Sequence, residues 1–332
     1  MKTLLLSMED VQKLLSMKDV IDAVKEGYLA FEQGKVQQPD IVSMEMADYN
    51  GETDIKSCYS GLNQRISVKI ASGFYNNGIQ NTLPTMIGMI QIFDGCNGAP
   101  LCIMDGSLIT NIRTGAAGAV SAEYLARKNA KTVCVIGGGN QAKMQVYGLC
   151  CVRPIEMIKV FSQYPAELPR YKEEVERETG VPVRICATIE EAMEGADIAI
   201  STTPTKQFIV PAGAVPKGIH IVAVGADMPG KNEWDPEVFR GAKIVNDSIK
   251  QCAARGETRN ALRAGTITPS DIYGEIGELV AGKKTGRINE DEITIFDTTG
   301  MAIQDNVTAV KIYELALQKQ VGSWFEFLKG EG

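Results

Sequence analysis

The stretch Thr132-Val-Cys-Val-Ile-Gly-Gly-Gly-Asn-Gln-Ala142 decides the fold of this 332-residue chain. A short β-branched run ends in three glycines, a pattern typical of a strand that turns directly into a helix. In such a turn Gly137 permits the tight bend and Gly139 lets the backbone approach a diphosphate. Ala142 then lets the helix pack closely on the strand. The alternative is an ordinary tight turn that binds nothing.

A second apolar run in the expected place favours the dinucleotide-binding interpretation. Met157-Ile-Lys-Val-Phe161 follows the glycine turn where a strand–helix–strand unit places its second strand. Ser162, Gln163 and Tyr164 come next, at the position where an acidic residue binds the ribose of NAD. Because no carboxylate stands there to repel a 2′-phosphate, these residues favour NADP(H) over NAD(H), and Ser162 and Gln163 become candidate cofactor contacts.

Strands and helices alternate from about residue 129 onward, which predicts a doubly wound parallel sheet of the α/β class. The predicted strands are Val133–Ile136, Ile158–Phe161, Val183–Ile185, Ile198–Ser201, Ile219–Val224, Ala242–Val245 and Ile293–Phe296.

The first part of the chain has a different pattern. Ser7 and Ser16 each precede an acidic residue by three positions, which predicts two capped helices. Strand-like runs between about Ile41 and Phe93 predict an antiparallel or mixed sheet. A small-residue helix opened by Ser107 leads into the second domain, and a final helix from Asp305 to Lys319 returns to the first. We therefore expect a discontinuous α+β domain of residues 1–128 and 305–332, and a dinucleotide-binding domain of residues 129–304.

Composition and charge exclude several classes of function. With 44% hydrophobic and 23% charged residues, the chain has the composition of a globular enzyme. A net charge of −7 argues against nucleic acid or an anionic membrane as a partner. The brief apolar run near the amino terminus is too short for a secretion signal, and no segment approaches the length of a membrane span.

The eight cysteines are scattered and form no CxxC pair, so we expect reduced thiols and a cytoplasmic protein. His220 is the only histidine and lies in an apolar run, which predicts a buried strand residue. Zinc binding and Ser-His or Cys-His catalysis are therefore disfavoured, and we expect no metal.

Four segments together resemble one known family. They are Leu108-Ile-Thr-Asn-Ile-Arg-Thr-Gly-Ala-Ala-Gly118, the glycine turn, Val224-Gly-Ala-Asp-Met-Pro-Gly-Lys231, and Ile293-Thr-Ile-Phe-Asp-Thr-Thr-Gly300 followed by Ala302-Ile-Gln-Asp305. In order and spacing the chain resembles the ornithine cyclodeaminase and mu-crystallin family, whose members include alanine dehydrogenases and ketimine or imino-acid reductases. The resemblance runs essentially from end to end. It implies a Rossmann domain plus a substrate and dimerisation domain built from both chain ends, and a homodimer.

The resemblance also implies roles for individual residues. Arg113 matches the arginine that holds the substrate carboxylate, Lys69 matches the catalytic lysine that faces it, and Asp227 matches the catalytic acid beside the substrate nitrogen. A guanidinium can clamp a carboxylate, an ammonium can donate a proton, and a carboxylate can accept from an amine. From the residues alone, Arg113 could instead be a surface ion-pair residue, and Asp227 could cap a Pro-Gly turn.

Further contacts follow from the same resemblance. Substrate contacts are implied at Thr299 and Gly300. Cofactor contacts are implied, besides the glycine-turn residues and the residues after the second strand, at Thr114, Asn140, Gln141, Thr202, Thr203, Val224, Gly225 and Asp297.

Lys56 departs from the family's pattern in an informative way. It occupies a position where the cyclodeaminases have a catalytic glutamate and the alanine dehydrogenases have an arginine. A cation cannot act as a carboxylate base and would repel the second ammonium of ornithine or lysine. We therefore expect Lys56 to bind substrate carboxylate, although a lysine at this place could also be a solvent-exposed strand residue.

The sequence thus predicts NAD(P)H-dependent reduction of a 2-imino acid to an L-amino acid, with a small imino or amino acid as the substrate. The imine is either a cyclic ketimine or one formed from a 2-oxo acid and ammonia. Two alternatives stay open. The first is an ornithine or lysine cyclodeaminase with bound NAD, and the second is a non-enzymatic, mu-crystallin-like protein that binds a small molecule.

Overall fold

The computed structural model describes residues 2–77 and 82–327, which divide into two units. The first unit combines both chain ends, Met1–Arg113 and Ala302–Gly332, and the second is Thr114–Met301. The first division point falls inside a continuous helix, Ser107–Leu125, rather than near the predicted boundary after residue 128. A boundary within a helix leaves no loop or change of composition, so the sequence has no signal for it.

The first unit is built on a mixed sheet that has eight strands within the described ranges. Its strands are β1 (Lys2–Leu6), β2 (Val36–Gln37), β3 (Val42–Met46), β4 (Gly51–Ser60), β5 (Arg65–Phe74), β6 (Met86–Asp94), β7 (Pro100–Asp105) and β16 (Ser323–Glu326). The order is β16-β1-β7-β6-β5-β4-β2, with β3 also paired to β4. Among the described pairings of this sheet, only the β1–β7 pair is parallel. Strands β1, β2, β7 and β16 lie outside the predicted range of about Ile41 to Phe93. Strand β16 is one edge of the sheet, and β1 lies between it and β7.

Helices cover this sheet. They are α1 (Met8–Leu14), α2 (Met17–Glu32), α3 (Ser107–Leu125), which continues into the second unit, and α10 (Ala302–Lys319). The predicted caps at Ser7 and Ser16 are present, since each hydroxyl accepts the backbone N–H three residues on. Helices α2 and α10 approach closely at Gly27, where an added Cβ would lie 3.2 Å from Val307. This close packing holds the first turn of α10 in place.

The second unit is a parallel sheet with helices between its strands, as the sequence predicts. The strands are β8 (Thr132–Ile136), β9 (Met157–Phe161), β10 (Val183–Ile185), β11 (Ile198–Ser201), β12 (His220–Ala223), β13 (Lys243–Asn246), β14 (Ile272–Glu275) and β15 (Thr294–Asp297), in the order β10-β9-β8-β11-β12-β15-β13-β14. The helices, besides α3, are α4 (Asn140–Val152), α5 (Leu168–Thr179), α6 (Ile189–Met193), α7 (Ile249–Arg255), α8 (Glu257–Ala264) and α9 (Ile276–Val280).

All seven predicted strands of this sheet are present, and none of their ends differs from the prediction by more than one residue. The short edge strand β14 was not predicted. The strands from β8 to β10 are added on one side of β8, and the next strand, β11, is added on its other side. Dinucleotides bind beyond the carboxyl ends of the strands at such a switch point. His220 is buried on β12, as expected, and its ring contacts Ser121 and Thr294. Burial lowers the pKa of His220 to about 3, so this imidazole is a neutral structural group.

The small residues of α3 allow two helices of the second unit to touch. A Cβ added to Gly115 would lie 2.3 Å from the carbonyl oxygen of Met144 on α4, and one added to Gly148 would lie 2.6 Å from that of Gly115. The Gln145 amide donates to the carbonyl of Thr114 at 2.8 Å. Contact at this range is possible only without side chains, so the small-residue pattern serves packing inside the chain.

Within the described ranges, none of the helices has both the length and the apolar character that crossing a lipid bilayer requires.

Candidate active site

A buried carboxylate joins two cationic side chains in the first unit. Asp305 lies in the first turn of α10, and its Oδ2 is 2.7 Å from the Nζ of Lys69 on β5. Its Oδ1 accepts a 2.9 Å hydrogen bond from the Nε of Arg113 on α3. The Lys69 and Asp305 side chains are only 3% and 2% exposed. The structure thus excludes a surface ion pair for Arg113 and gives buried Lys69 the partner that a buried lysine requires.

Neighbouring polar groups fix the orientation of both cations. The Nη1 of Arg113 donates to the Oε1 of Gln304 at 3.0 Å, and the Nε2 of Gln304 donates to the hydroxyl of Tyr28 at 2.5 Å. The Nζ of Lys69 donates to the hydroxyl of Thr110 at 3.3 Å. These contacts determine the plane of the guanidinium and the direction of the ammonium, as binding a planar carboxylate requires.

Lys56 is the third cation of this group. It stands directly opposite Lys69 in the antiparallel pair β4–β5. Residues opposite each other project from the same face of a sheet, and like charges in such a pair repel. Lys56 is partly exposed, and its charge lowers the pKa of both Lys69 and Asp305. The structure thus places a third cation next to the cluster of Lys69, Asp305 and Arg113.

Burial and charge bring the pKa of Lys69 close to neutrality. Burial lowers it most; Asp305 opposes this effect, and Arg113 and Lys56 add to it, so that the pKa is about 7. Burial alone would raise the pKa of Asp305, but Arg113, Lys69 and Lys56 outweigh that effect and lower it. Asp305 therefore remains ionised at neutral pH while Lys69 can gain or lose a proton there.

The glycine turn of the second unit has the geometry of a diphosphate cradle. Gly137 has a φ of +106°, which L side chains rarely adopt, and a Cβ there would lie 2.9 Å from the hydroxyl of Thr202. A Cβ added at Gly139 meets no described atom within 4 Å. Gly139 is the N-cap of α4, so the first N–H groups of Asn140 and Gln141 point toward the turn, and Ala142 is fully buried. The residues present fit a bound dinucleotide.

Several other predicted cofactor contacts follow strands of the same parallel sheet. Ser162 comes after β9, Thr202 and Thr203 come after β11, and Val224 and Gly225 come after β12. Carboxyl ends of parallel strands share one edge, so these residues lie on the edge that contains the glycine turn. Gln163 is exposed beside Ser162. Their roles in cofactor binding stay predictions.

The remaining predicted residues of the second unit have defined partners. The backbone N–H groups of Thr299 and Gly300 donate to the carboxylate of Asp247 at 3.1 and 2.8 Å. The Asp297 carboxylate is buried and accepts from the first N–H groups of α8, so it caps that helix. Asp227 is half exposed, and its Oδ1 is 2.6 Å from the Nζ of Lys231. An ion pair, rather than a turn cap, is the contact that the structure gives to Asp227.

Asp305 and Gln304 are functional candidates that sequence reasoning missed. Both belong to the motif Ala302-Ile-Gln-Asp305, which contributed to the family resemblance without a role for either side chain. The available signal was two adjacent polar residues at the start of a helix whose next residues are mostly buried. Polar groups in such a position need partners inside the fold.

Comparison with known proteins assigns the family. Residues 1–320 match the model of the ornithine cyclodeaminase/mu-crystallin family. The chain belongs to this family. It is 37% identical over 331 residues to an alanine dehydrogenase of Archaeoglobus fulgidus, covering 99% of this chain and 100% of the relative.

Two solved structures agree with the fold. The Δ1-pyrroline-2-carboxylate reductase of Thermococcus litoralis, solved with NADH and L-proline, has a TM-score of 0.93 at 36% identity, with 97% of this chain and 99% of that chain covered. An archaeal alanine dehydrogenase, solved as a dimer with NAD, also has a TM-score of 0.93 at 36% identity, with 99% and 100% covered. The predicted family and fold class are confirmed.

Removing the negative charge of Asp305 should destabilise the fold strongly. Asp305→Asn leaves two buried cations without their counter-ion, and breaking a buried ion pair costs about 3–5 kcal/mol. Urea unfolding followed by circular dichroism measures the loss. Asp94→Asn is the matched control, because Asp94 forms a partly exposed 3.5 Å pair with Arg65 in the same unit. The control should lose less than about 1 kcal/mol. Equal losses in the two variants would contradict a special role for Asp305.

Proposed function

We propose that this protein is an NAD(P)H-dependent reductase that converts a 2-imino acid to an L-amino acid. The observation that supports this most is the charge arrangement around Asp305, where one buried carboxylate lies between two buried cations, Lys69 and Arg113. A substrate carboxylate would offset this positive charge. Every 2-imino acid and 2-oxo acid has such a group next to the reacting carbon.

Each candidate site residue has a distinct role in the proposed reduction. A bound nicotinamide cofactor supplies the hydride that reduces the imine carbon. Arg113 and Lys56 anchor the substrate carboxylate, and Lys69, whose pKa is about 7, stabilises the site or supplies the proton that the product nitrogen gains. Asp227 holds the substrate nitrogen. The product amino acid retains its carboxylate.

Lys56 disfavours cyclodeamination of a diamine. Ornithine and lysine have a second ammonium, and Lys56 lies opposite Lys69 on the same face of the sheet. Two like charges in this environment repel a third. The cationic pair would instead accept an imino acid whose side chain is neutral or has a second carboxylate.

Reversing the charge of Lys56 should weaken substrate binding. Lys56→Glu removes a charge-assisted contact worth about 1.5–3 kcal/mol and adds repulsion, so we expect the Michaelis constant for the imino acid to rise on the order of tenfold to a hundredfold. The dissociation constant of the cofactor should stay nearly unchanged. Absorbance at the nicotinamide band, with a panel of cyclic imines and of 2-oxo acids plus ammonia, measures both reduction and its substrate dependence.

Controls for this experiment separate the candidate functions. Lys56→Arg keeps a cation and should retain most activity. Ornithine and lysine, assayed for ammonia release, test the cyclodeaminase alternative. Ammonia release faster than every imine reduction would overturn the proposal. Ligand binding without turnover of any substrate in the panel would instead indicate a binding protein.

We further propose that the cofactor is NADP(H). The hydroxyl of Ser162 accepts the N–H of Tyr164 at 3.0 Å, so its own hydrogen can donate to a 2′-phosphate. The two relatives described above were solved with NADH and NAD, so NADP(H) binding by this chain would differ from the cofactors in those structures. Titration by cofactor fluorescence should give tighter binding of NADPH. Ser162→Asp, which adds a repelling carboxylate, should reverse the preference. Tenfold tighter binding of NADH by the wild type would contradict the proposal.

A homodimer is proposed as the assembly. The small residues of α3 cannot be the interface, because they pack inside the chain. Apolar side chains exposed in the first sheet fit an interface better, since Met44 on β3 is 46% exposed and Met86 on β6 is 53% exposed. Light scattering at micromolar concentration should give twice the chain mass. The double variant Met44→Asp/Met86→Asp should give the monomer mass, and a monomeric wild type would refute the assembly.

The state of the cysteines indicates the cellular compartment. All eight cysteines lie in the described ranges as thiols, and five of them are buried. This usage fits a reducing compartment, and we place the protein in the cytoplasm.

A further inference from the structure

Four hydrogen bonds converge on one buried carboxylate in the second unit. Glu233 is fully buried. Its Oε1 accepts the backbone N–H and the hydroxyl of Thr203, at 2.5 and 2.7 Å. Its Oε2 accepts the hydroxyl of Ser201 at 2.7 Å and the backbone N–H of Gly225 at 2.9 Å. Each oxygen thus receives one backbone donor and one hydroxyl donor.

These donors belong to loops that follow two neighbouring strands. Ser201 ends β11, and Thr203 lies two residues later, whereas Gly225 lies two residues beyond the end of β12. Strands β11 and β12 pair in parallel from Ile198 to Ser201. Glu233 therefore ties together the loops that leave the carboxyl ends of adjacent strands.

The directions of the hydrogen bonds require two accepting oxygens. Backbone N–H groups can only donate, and one of them points at each oxygen of Glu233. The indole N–H of Trp234 donates to the hydroxyl of Ser201 at 2.7 Å, which leaves the hydroxyl hydrogen for Glu233. A glutamine at position 233 would place an NH₂ group against one of the backbone donors. A glutamine would therefore lose one of the two backbone hydrogen bonds that Glu233 accepts.

The backbone of Glu233 is itself held by other buried carboxylates. Its N–H donates to the Oε1 of Glu257 at 2.5 Å, and Glu257 is the first residue of α8. The N–H groups of Glu257 and Thr258 donate to Asp297 at 3.2 and 2.8 Å. Burial raises the pKa of Glu233 to about 7 and that of Glu257 to about 8. Three carboxylates are thus linked through backbone N–H groups, from the end of β15 to the loops after β11 and β12.

The space around Glu233 is closely filled. A Cβ added to Gly225 would lie 2.4 Å from the Oε2 of Glu233 and 2.3 Å from the carbonyl oxygen of Thr203. The two loops are therefore drawn to within backbone contact of each other. Any change in the length or charge of Glu233 has to be taken up by movement of these loops.

We infer that Glu233 is a positioning residue for the cofactor: it sets the spacing of the Thr202–Thr203 and Val224–Gly225 segments and thereby the affinity for the dinucleotide, without touching the dinucleotide itself. This inference rests on the proposed function, which places cofactor contacts in both segments.

Glu233→Gln tests the inference, because the variant should weaken cofactor binding without lowering the turnover number. We expect the dissociation constant of the reduced cofactor and its Michaelis constant to rise about tenfold, because one backbone donor loses its charged acceptor. The turnover number at saturating cofactor should stay within about twofold of the wild type, and the Michaelis constant for the imino acid should stay unchanged. A purely structural role would lower the melting temperature and leave the cofactor constants unaltered, which would overturn the inference.

Two further variants complete the experiment. Glu237→Gln makes the same chemical change at an exposed residue that pairs with Arg240, and it should behave as the wild type. Glu233→Asp keeps the charge but shortens the side chain. If circular dichroism shows that Glu233→Gln does not fold, the cofactor constants and the turnover number of Glu233→Asp test the inference instead. Wild-type protein that binds neither NADH nor NADPH would refute the proposed function. Wild-type binding with unchanged cofactor constants in the folded position-233 variant would refute only the role of Glu233.

Discussion

The candidate active site depends on the ion pairs that the Asp305 carboxylate forms with Lys69 and Arg113. Burying an ionised ammonium or guanidinium costs several kcal/mol, and Asp305 offsets this cost for Lys69 and Arg113 together, at 2.7 and 2.9 Å. One negative charge between two positive ones leaves a positive surplus, and Lys56 lies opposite Lys69 on the neighbouring strand. The site is therefore stable enough to form while still attracting an anion. Both properties follow from a single buried acid in the first turn of α10.

The second unit buries three acidic side chains for a different purpose. Glu233, Glu257 and Asp297 each accept backbone N–H groups, and Glu233 and Glu257 accept side-chain donors as well. Each carboxylate satisfies such donors and joins segments that are distant in sequence. In the first unit the charged groups are proposed to bind a substrate anion, whereas here they hold the backbone around the edge proposed to bind the cofactor.

Local patterns explain what the sequence could predict, and distant pairings explain what it could not. The glycine turn and the alternating apolar runs report short-range backbone preferences, so the parallel sheet and its loops were predictable. Lys69 stood out because lysine is rare inside an apolar strand. The role of Asp305 depends on partners such as Arg113, 192 residues away, and no local pattern encodes that pairing. Glu233 was missed for the same reason, since its donors come from two separate loops.

The titration of the Lys69 ammonium tests the central claim most directly. Heteronuclear NMR of protein with ¹³C-labelled lysine, assigned by the loss of one signal in Lys69→Arg, follows this group without any assay of activity. The charge arrangement predicts a midpoint at about pH 7 in the unliganded protein. An amino acid whose carboxylate enters the site should move that midpoint upward, because an added negative charge favours the ammonium. A midpoint near the ordinary lysine value of about 10.4, unchanged by ligand, would contradict the account.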